Sequence, residues 1–239
     1  MQMLNEKSVL KIPLLVEVIG ESESGKTHFS CTAPRPFLVD TTVKQEALPI
    51  IRKLHSDWEK RYVSVRIWEE LEAAIERAVQ SIDVATVILD TSMDLADLAA
   101  SHWLKEKKKE AVWPITQWKH VRDKIDMLIN KVTAQSGRNM VLTAGFKDEW
   151  VQDKRTGKRI RDGYIRLPQQ ADIRLYIKIL EKTKTLESGI AVTLYERECQ
   201  IVKNRFKDRA GKDWIPMLNP VDWKTLIAAT GIKEEELVQ

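Results

Sequence analysis

Cysteine is scarce in this chain. The two that occur, Cys31 and Cys199, form no C-x-x-C pair, which excludes a disulfide framework and a cysteine-built metal site. A reducing, cytoplasmic setting is the expectation that follows. No run of about 18 apolar residues exists, so neither a membrane-spanning helix nor a membrane partner is expected. The opening stretch MQMLNEKSVLKIP carries an acid and has no apolar centre, unlike a secretory signal. The four histidines (His28, His55, His102, His120) lack metal-ligand spacing. Strong charge of one sign is missing too: 39 Lys and Arg against 35 Asp and Glu leave a net +4. That is too little to imply a polyanionic partner, so the distribution of charge must be read instead. With no internal repeat and no low-complexity linker, the 239 residues read as one domain, with a core over about 12–206 and an extension over 207–239.

What is present is concentrated between Leu14 and Ser30, LLVEVIGESESGKTHFS. An aliphatic strand over Leu14–Ile19 runs into Gly20, Gly25, Lys26 and Thr27, which complete G-x-x-x-x-G-K-[ST] where a helix should begin. Gly20 and Gly25 let the backbone curl so that successive N–H groups converge on phosphate oxygens. Glu21, Ser22, Glu23 and Ser24 fill out the same nucleotide-binding loop, and His28, a further candidate at the site, falls on the helix after it and reads equally as structural. Lys26 supplies a mobile charge for the β- and γ-phosphates, and the Thr27 hydroxyl is placed to ligate Mg²⁺. A nucleoside triphosphate, ATP with Mg²⁺, is the cofactor this pattern predicts.

Downstream, the chain alternates. Strands are expected over Phe37–Asp40, Tyr62–Trp68, Val84–Asp90 and Asn139–Gly145, with helices over Ser24–Cys31, from about Pro49 to Glu59, and over Glu69–Ile82, Met93–Leu104 and Pro114–Gln135. That interval predicts an α/β fold with a mostly parallel twisted sheet flanked by helices. Residues 1–12 read as an edge strand or extended lead-in. After Gly145 the turn signals Thr156-Gly157 and Asp162-Gly163 and three strands (Ile173–Leu180, Ile190–Glu198, Gln200–Phe206) predict antiparallel additions. A helix over Asp222–Thr230 closes the chain, capped by Gly231. Tryptophans 58, 68, 118 and 223 fall at core positions.

Asp90 is the natural partner for the loop: a carboxylate ending a buried strand lies beside the phosphates and can hold Mg²⁺. For a group that orients water, Asp40 at the end of strand two is the candidate, with Glu21, Glu23 and Glu46 nearby in sequence. Thr143 reads either as a γ-phosphate sensor or as a satisfied core hydroxyl. A basic cluster, Lys154, Arg155, Lys158, Arg159, Arg161 and Arg166, faces only Asp153 and Asp162, with Tyr164 beside it. It suits a nucleic-acid backbone and a stacked base, a lid over a nucleotide, or simply a solvated hairpin. In Ile201-Val202-Lys203-Asn204-Arg205, alternation sends both cations to one face.

Together GESESGKT, PFLVDTT, ATVILDTSMDL, NMVLTAGFK and QIVKNRF resemble the RecA-like P-loop ATPases, in particular the short phage and prokaryotic branch that includes single-strand annealing proteins. The resemblance covers roughly residues 14–206. It implies action on single-stranded DNA, self-association as a ring or filament, and a setting in a prokaryotic or phage-infected cell. It also implies that Lys203 and Arg205 reach a neighbouring subunit's ATP, as the two lysines of the matching RecA strand do. Two departures stand out. Thr42 follows Asp40-Thr41 where the family carries a water-activating acid, and Gly145 replaces the usual polar residue after Thr-Ala. The first argues against fast hydrolysis. A P-loop kinase with a basic lid and a nucleotide-gated module with little turnover are the competing readings.

Overall fold

The computed structural model describes residues 11–107, 118–152, 154–185, 191–208 and 217–238. Its centre is β1 (Leu15–Gly20), buried along its whole length. It pairs parallel with β5 (Asn139–Val151) on one side and β7 (Ile173–Thr185) on the other. Beyond β5 lie β4 (Thr86–Asp90), β2 (Pro36–Asp40) and the short β3 (Tyr62–Ser64), also parallel. Beyond β7, the antiparallel β8 (Ala191–Asn204) and β9 (Met217–Leu218) complete the sheet, in the order β3-β2-β4-β5-β1-β7-β8-β9. A further strand, β6 (Lys154–Asp162), folds back on the outer half of β5.

Successive residues of a strand face opposite ways, so each strand feeds two cores. Leu38 and Ile88, with Val16 and Val18, pack under α1 (Lys26–Cys31), α2 (Leu48–Leu54) and α8 (Trp223–Thr230). Val39, Leu89 and Leu142 pack under α4 (Trp68–Gln80), α5 (Leu95–Glu106) and α6 (Trp118–Asn130). Each fully buried aliphatic side chain adds roughly 1.5–3 kcal/mol. Two short helices, α3 (Trp58–Arg61) and α7 (Leu167–Gln170), bridge strands. In α4, Leu71, Ala74, Ile75 and Ala78 are buried while the glutamates face outward, the pattern of an amphipathic surface helix. At its C-terminal end α6 widens into a π turn over Lys131–Gln135. Helix α8 begins where Asp222 accepts a 2.7 Å bond from the Thr225 N–H, and ends at Gly231 with φ 71°.

The α/β class, the parallel sheet and the antiparallel additions agree with the sequence reading; several boundaries do not. Strand three ends at Ser64, because Arg66 turns back to hydrogen-bond the Val65 and Asp40 carbonyls. β5 does not stop at Gly145 but continues to Val151. The hairpin closes from Val151 to Lys154, and Thr156-Gly157 lies within β6 rather than at the turn. The two strands expected between Ile190 and Phe206 are one long β8. Trp68 and Trp223 are buried, whereas Trp118 is 36% exposed. The lead-in residues 1–10, the start of the Pro114 helix and the junction between the first two of the three expected C-terminal strands, including Ile190, lie outside the described residues.

Candidate nucleotide-binding site

The loop after β1 is shaped by two glycines. A Cβ on Gly20 would lie 2.3 Å from Ser24 Oγ and 2.5 Å from the Ile177 carbonyl, so only glycine fits. Gly25 caps α1 with φ 100°, a left-handed conformation that other residues adopt at a cost. Ser24 is buried and its Oγ has no hydrogen-bond partner. Lys26 Nζ reaches back over the loop to the carbonyls of Gly20 (3.0 Å) and Glu21 (2.6 Å). Burial lowers its pKa, against the opposing pull of Asp90, Glu21 and Glu46.

Asp90 ends β4 next to the loop. Thr27 Oγ1 donates to its Oδ2 at 2.6 Å, and Thr143 Oγ1 donates to its Oδ1. Burial raises the Asp90 carboxyl above the usual range, partly offset by those two hydroxyls. A cavity of about 570 Å³ opens over Lys26, Thr27 and Asp90, with Thr42, Glu46 and Arg159 on its rim. Its size suits a nucleotide. Among the described residues no cluster of three or more His, Cys, Asp or Glu side chains forms a metal cage. The Thr27–Asp90 pair fits Mg²⁺, which keeps several waters and takes one or two protein oxygens beside phosphate.

The remaining sequence candidates are placed as follows. Asp40 is fully buried, and its carboxylate accepts from the Thr42 N–H (2.8 Å), the Thr42 hydroxyl (2.6 Å) and the Tyr62 hydroxyl (2.9 Å). Both oxygens are therefore engaged and Asp40 does not line the cavity, whereas Thr42, which caps Asp40, and Glu46 do. Ser22 and Glu23 line the cavity beside Glu21. His28 is exposed on α1 outside the cavity lining, and its pKa is lowered by partial burial and by Arg197 and Lys53. Thr143 is the buried hydroxyl that holds Asp90.

The basic cluster is divided. Arg161 reaches the fully buried Glu17, which also accepts from Arg174 at 2.5 Å. Arg166 is ion-paired with Asp126, and Arg155 with Asp148 at 2.6 Å. Arg159 reaches Glu21 of the phosphate loop at 3.1 Å. Lys154 and Lys158 are exposed, with no ion pair among the described residues. Tyr164 is only 3% exposed and its hydroxyl donates to Asp126, so it is not available to stack on a base. Lys203 donates to the Pro168 and Gln169 carbonyls, and Arg205 pairs with Asp172 at 2.5 Å.

Sequence reasoning missed Arg197, whose side chain would lie within 2.7 Å of a Cβ on Gly25. It also missed Tyr62, the lid on Asp40. Neither carries a local signal, since each reaches the site from a strand distant in sequence.

A parallel sheet with its glycine loop at the end of β1, and a lysine, hydroxyl and strand-end carboxylate gathered there, defines a P-loop NTPase fold. Residues 13–206 match the AAA domain family. The chain belongs to that family and is a nucleotide-binding P-loop ATPase. No curated protein gives a significant match. Among the described residues no helix is long and apolar enough to cross a membrane.

Proposed function

We propose that this protein is a slow, Mg²⁺-dependent ATPase of RecA-like type that acts on single-stranded DNA in recombination or annealing. The observation that carries the reading is the continuity of β5. The strand that bears Thr143, behind Asp90, runs on without a break into the hairpin that bears Lys154 and Lys158. Nucleotide and nucleic acid would thus be handled from two ends of one strand.

In this reading Lys26 leaves the Gly20 and Glu21 carbonyls for the β- and γ-phosphates. Thr27 and Asp90 hold the metal, which when bound neutralises charge developing on the phosphates. Glu46 is the rim carboxylate that would orient water, in place of the enclosed Asp40. Lys154 and Lys158 meet the DNA backbone. Lys203 and Arg205 would act on a neighbour's nucleotide in a ring or filament, after release from their carbonyl and carboxylate partners.

A second reading is supported by the enclosure of Asp40 under Thr42 and Tyr62. It is a nucleotide-gated module that binds ATP tightly and hardly turns over. The deciding experiment is ATP hydrolysis with and without poly-dT at two salt concentrations, beside Lys26→Ala. Stimulation that fades with salt and vanishes in the variant supports the first reading. Tight ATP binding with no turnover in either condition supports the second, and turnover indifferent to DNA overturns the DNA role.

A further inference from the structure

Arg159 stands apart from the other cations of the β5–β6 hairpin. Arg155, Arg161 and Arg166 are held on Asp148, Glu17 and Asp126, and neither Lys154 nor Lys158 borders the nucleotide cavity. Arg159 does border it, along with Lys26, Thr27 and Asp90. Its Nη2 lies 3.1 Å from Glu21 Oε2 and donates to the Phe146 carbonyl at 3.1 Å, while its Nε stands 3.9 Å from Asp148 Oδ1. The side chain is 49% exposed, so it can be re-aimed without opening the core.

The cavity is short of positive charge. Five carboxylates line it (Glu21, Glu23, Glu46, Asp90, Asp94) against three cations (Lys26, Lys44, Arg159), so a triphosphate entering there draws on every cation within reach. A guanidinium holds a phosphate through two parallel hydrogen bonds, and a terminal phosphate carries more charge than the Glu21 carboxylate it would replace.

We propose that Arg159 is a γ-phosphate ligand supplied from the hairpin of the same chain, parked on Glu21 until a triphosphate displaces it. The proposal rests on the nucleotide-binding reading of this cavity. It makes Arg159 the residue that separates triphosphate from diphosphate, because a diphosphate lacks the group Arg159 would grip. It also means that one nucleotide takes Arg159 of the hairpin off Glu21 and the other leaves it there.

Calorimetric titration of the full chain with Mg-ATP and Mg-ADP tests this in wild type, Arg159→Ala, Glu21→Gln, the double variant and Lys26→Ala. Loss of one charge-assisted contact should weaken ATP about tenfold in Arg159→Ala and leave ADP within about twofold. Glu21→Gln removes the competing carboxylate and should tighten ATP more than ADP, a difference that disappears in the double variant. Equal weakening of ATP and ADP by Arg159→Ala would overturn the proposal, leaving Arg159 as a prop for the loop. So would unchanged affinities in that variant. Failure of the wild type to bind either nucleotide would instead remove the nucleotide reading itself, and the proposal with it. Thermal melts of each variant establish that the fold is retained.

Discussion

Thr27 Oγ1 stands 2.6 Å from Asp90 Oδ2, and the other Asp90 oxygen accepts from Thr143. This buried carboxylate is held by two neutral hydroxyls, with no salt bridge among the described residues, and burial raises its pKa against the weaker opposing pull of Lys26. An acid whose folded pKa exceeds its unfolded one binds more protons in the native state between the two values. Stability therefore falls as pH rises through that window, and the penalty is complete above the folded pKa. Asp90→Asn should raise the melting temperature of the protein at neutral pH and flatten that pH dependence. The same change should remove Mg²⁺-dependent nucleotide affinity. Calorimetric melts across acidic to neutral pH check both effects, and a lower melting temperature at neutral pH would contradict the account.

Gly20→Ala places a methyl carbon where Ser24 Oγ and the Ile177 carbonyl already sit, at 2.3 and 2.5 Å. The carbonyl belongs to backbone paired with β1 and cannot swing away. Overpacking of this kind should cost about 1–3 kcal/mol and distort the loop enough to lose nucleotide binding. Gly137→Ala serves as the comparison. It meets nothing within 4 Å, so its left-handed φ of 65° should cost only about 1–2 kcal/mol with binding intact.

Within the basic cluster, stability and DNA binding should separate by residue. Arg161→Ala leaves the buried Glu17 with Arg174 as its remaining cation and should cost about 1–3 kcal/mol in chemical denaturation. Lys154→Ala and Lys158→Ala should leave the denaturation midpoint unchanged. If these lysines meet phosphates, each should lower the salt slope of single-strand binding by about one unit. A reversed pattern would mean that the cations have been assigned to the wrong tasks.

Cys31 and Cys199 are buried, and burial pushes both thiols up to about 12. Since the thiolate is the reactive form, neither should react with a disulfide reagent in the native protein at neutral pH. Two equivalents should appear on unfolding, and fast labelling of native protein would refute the packing described here.

The phosphate loop was legible because its requirements are local: two glycines, a lysine and a hydroxyl at fixed spacing after an apolar run. Strand-end acids were legible as well, but not their surroundings. Asp40 reads like Asp90 in sequence, and only the arrival of Tyr62 from β3 and the turn at Thr42 closes it off. The basic cluster was misleading for a related reason. Arg159 and Arg161 are two residues apart, yet one meets Glu21 and the other Glu17, and strand register decides which. Gly145 looked like a terminator because the apolar run ends there. The backbone continues in β conformation because β6 supplies a new hydrogen-bonding partner once β1 and β4 have ended.

That continuation has a mechanical consequence. From Thr143 to Val151 the chain extends about 26 Å at strand rise, with no loop to absorb slack. The only break in its pairing is the register shift between Asp148 and Trp150. The hairpin is hung from the middle of the sheet like a rod with a single elbow. Its root carries Thr143, the hydroxyl bonded to Asp90, so the hairpin and the wall behind that carboxylate are one continuous piece of backbone.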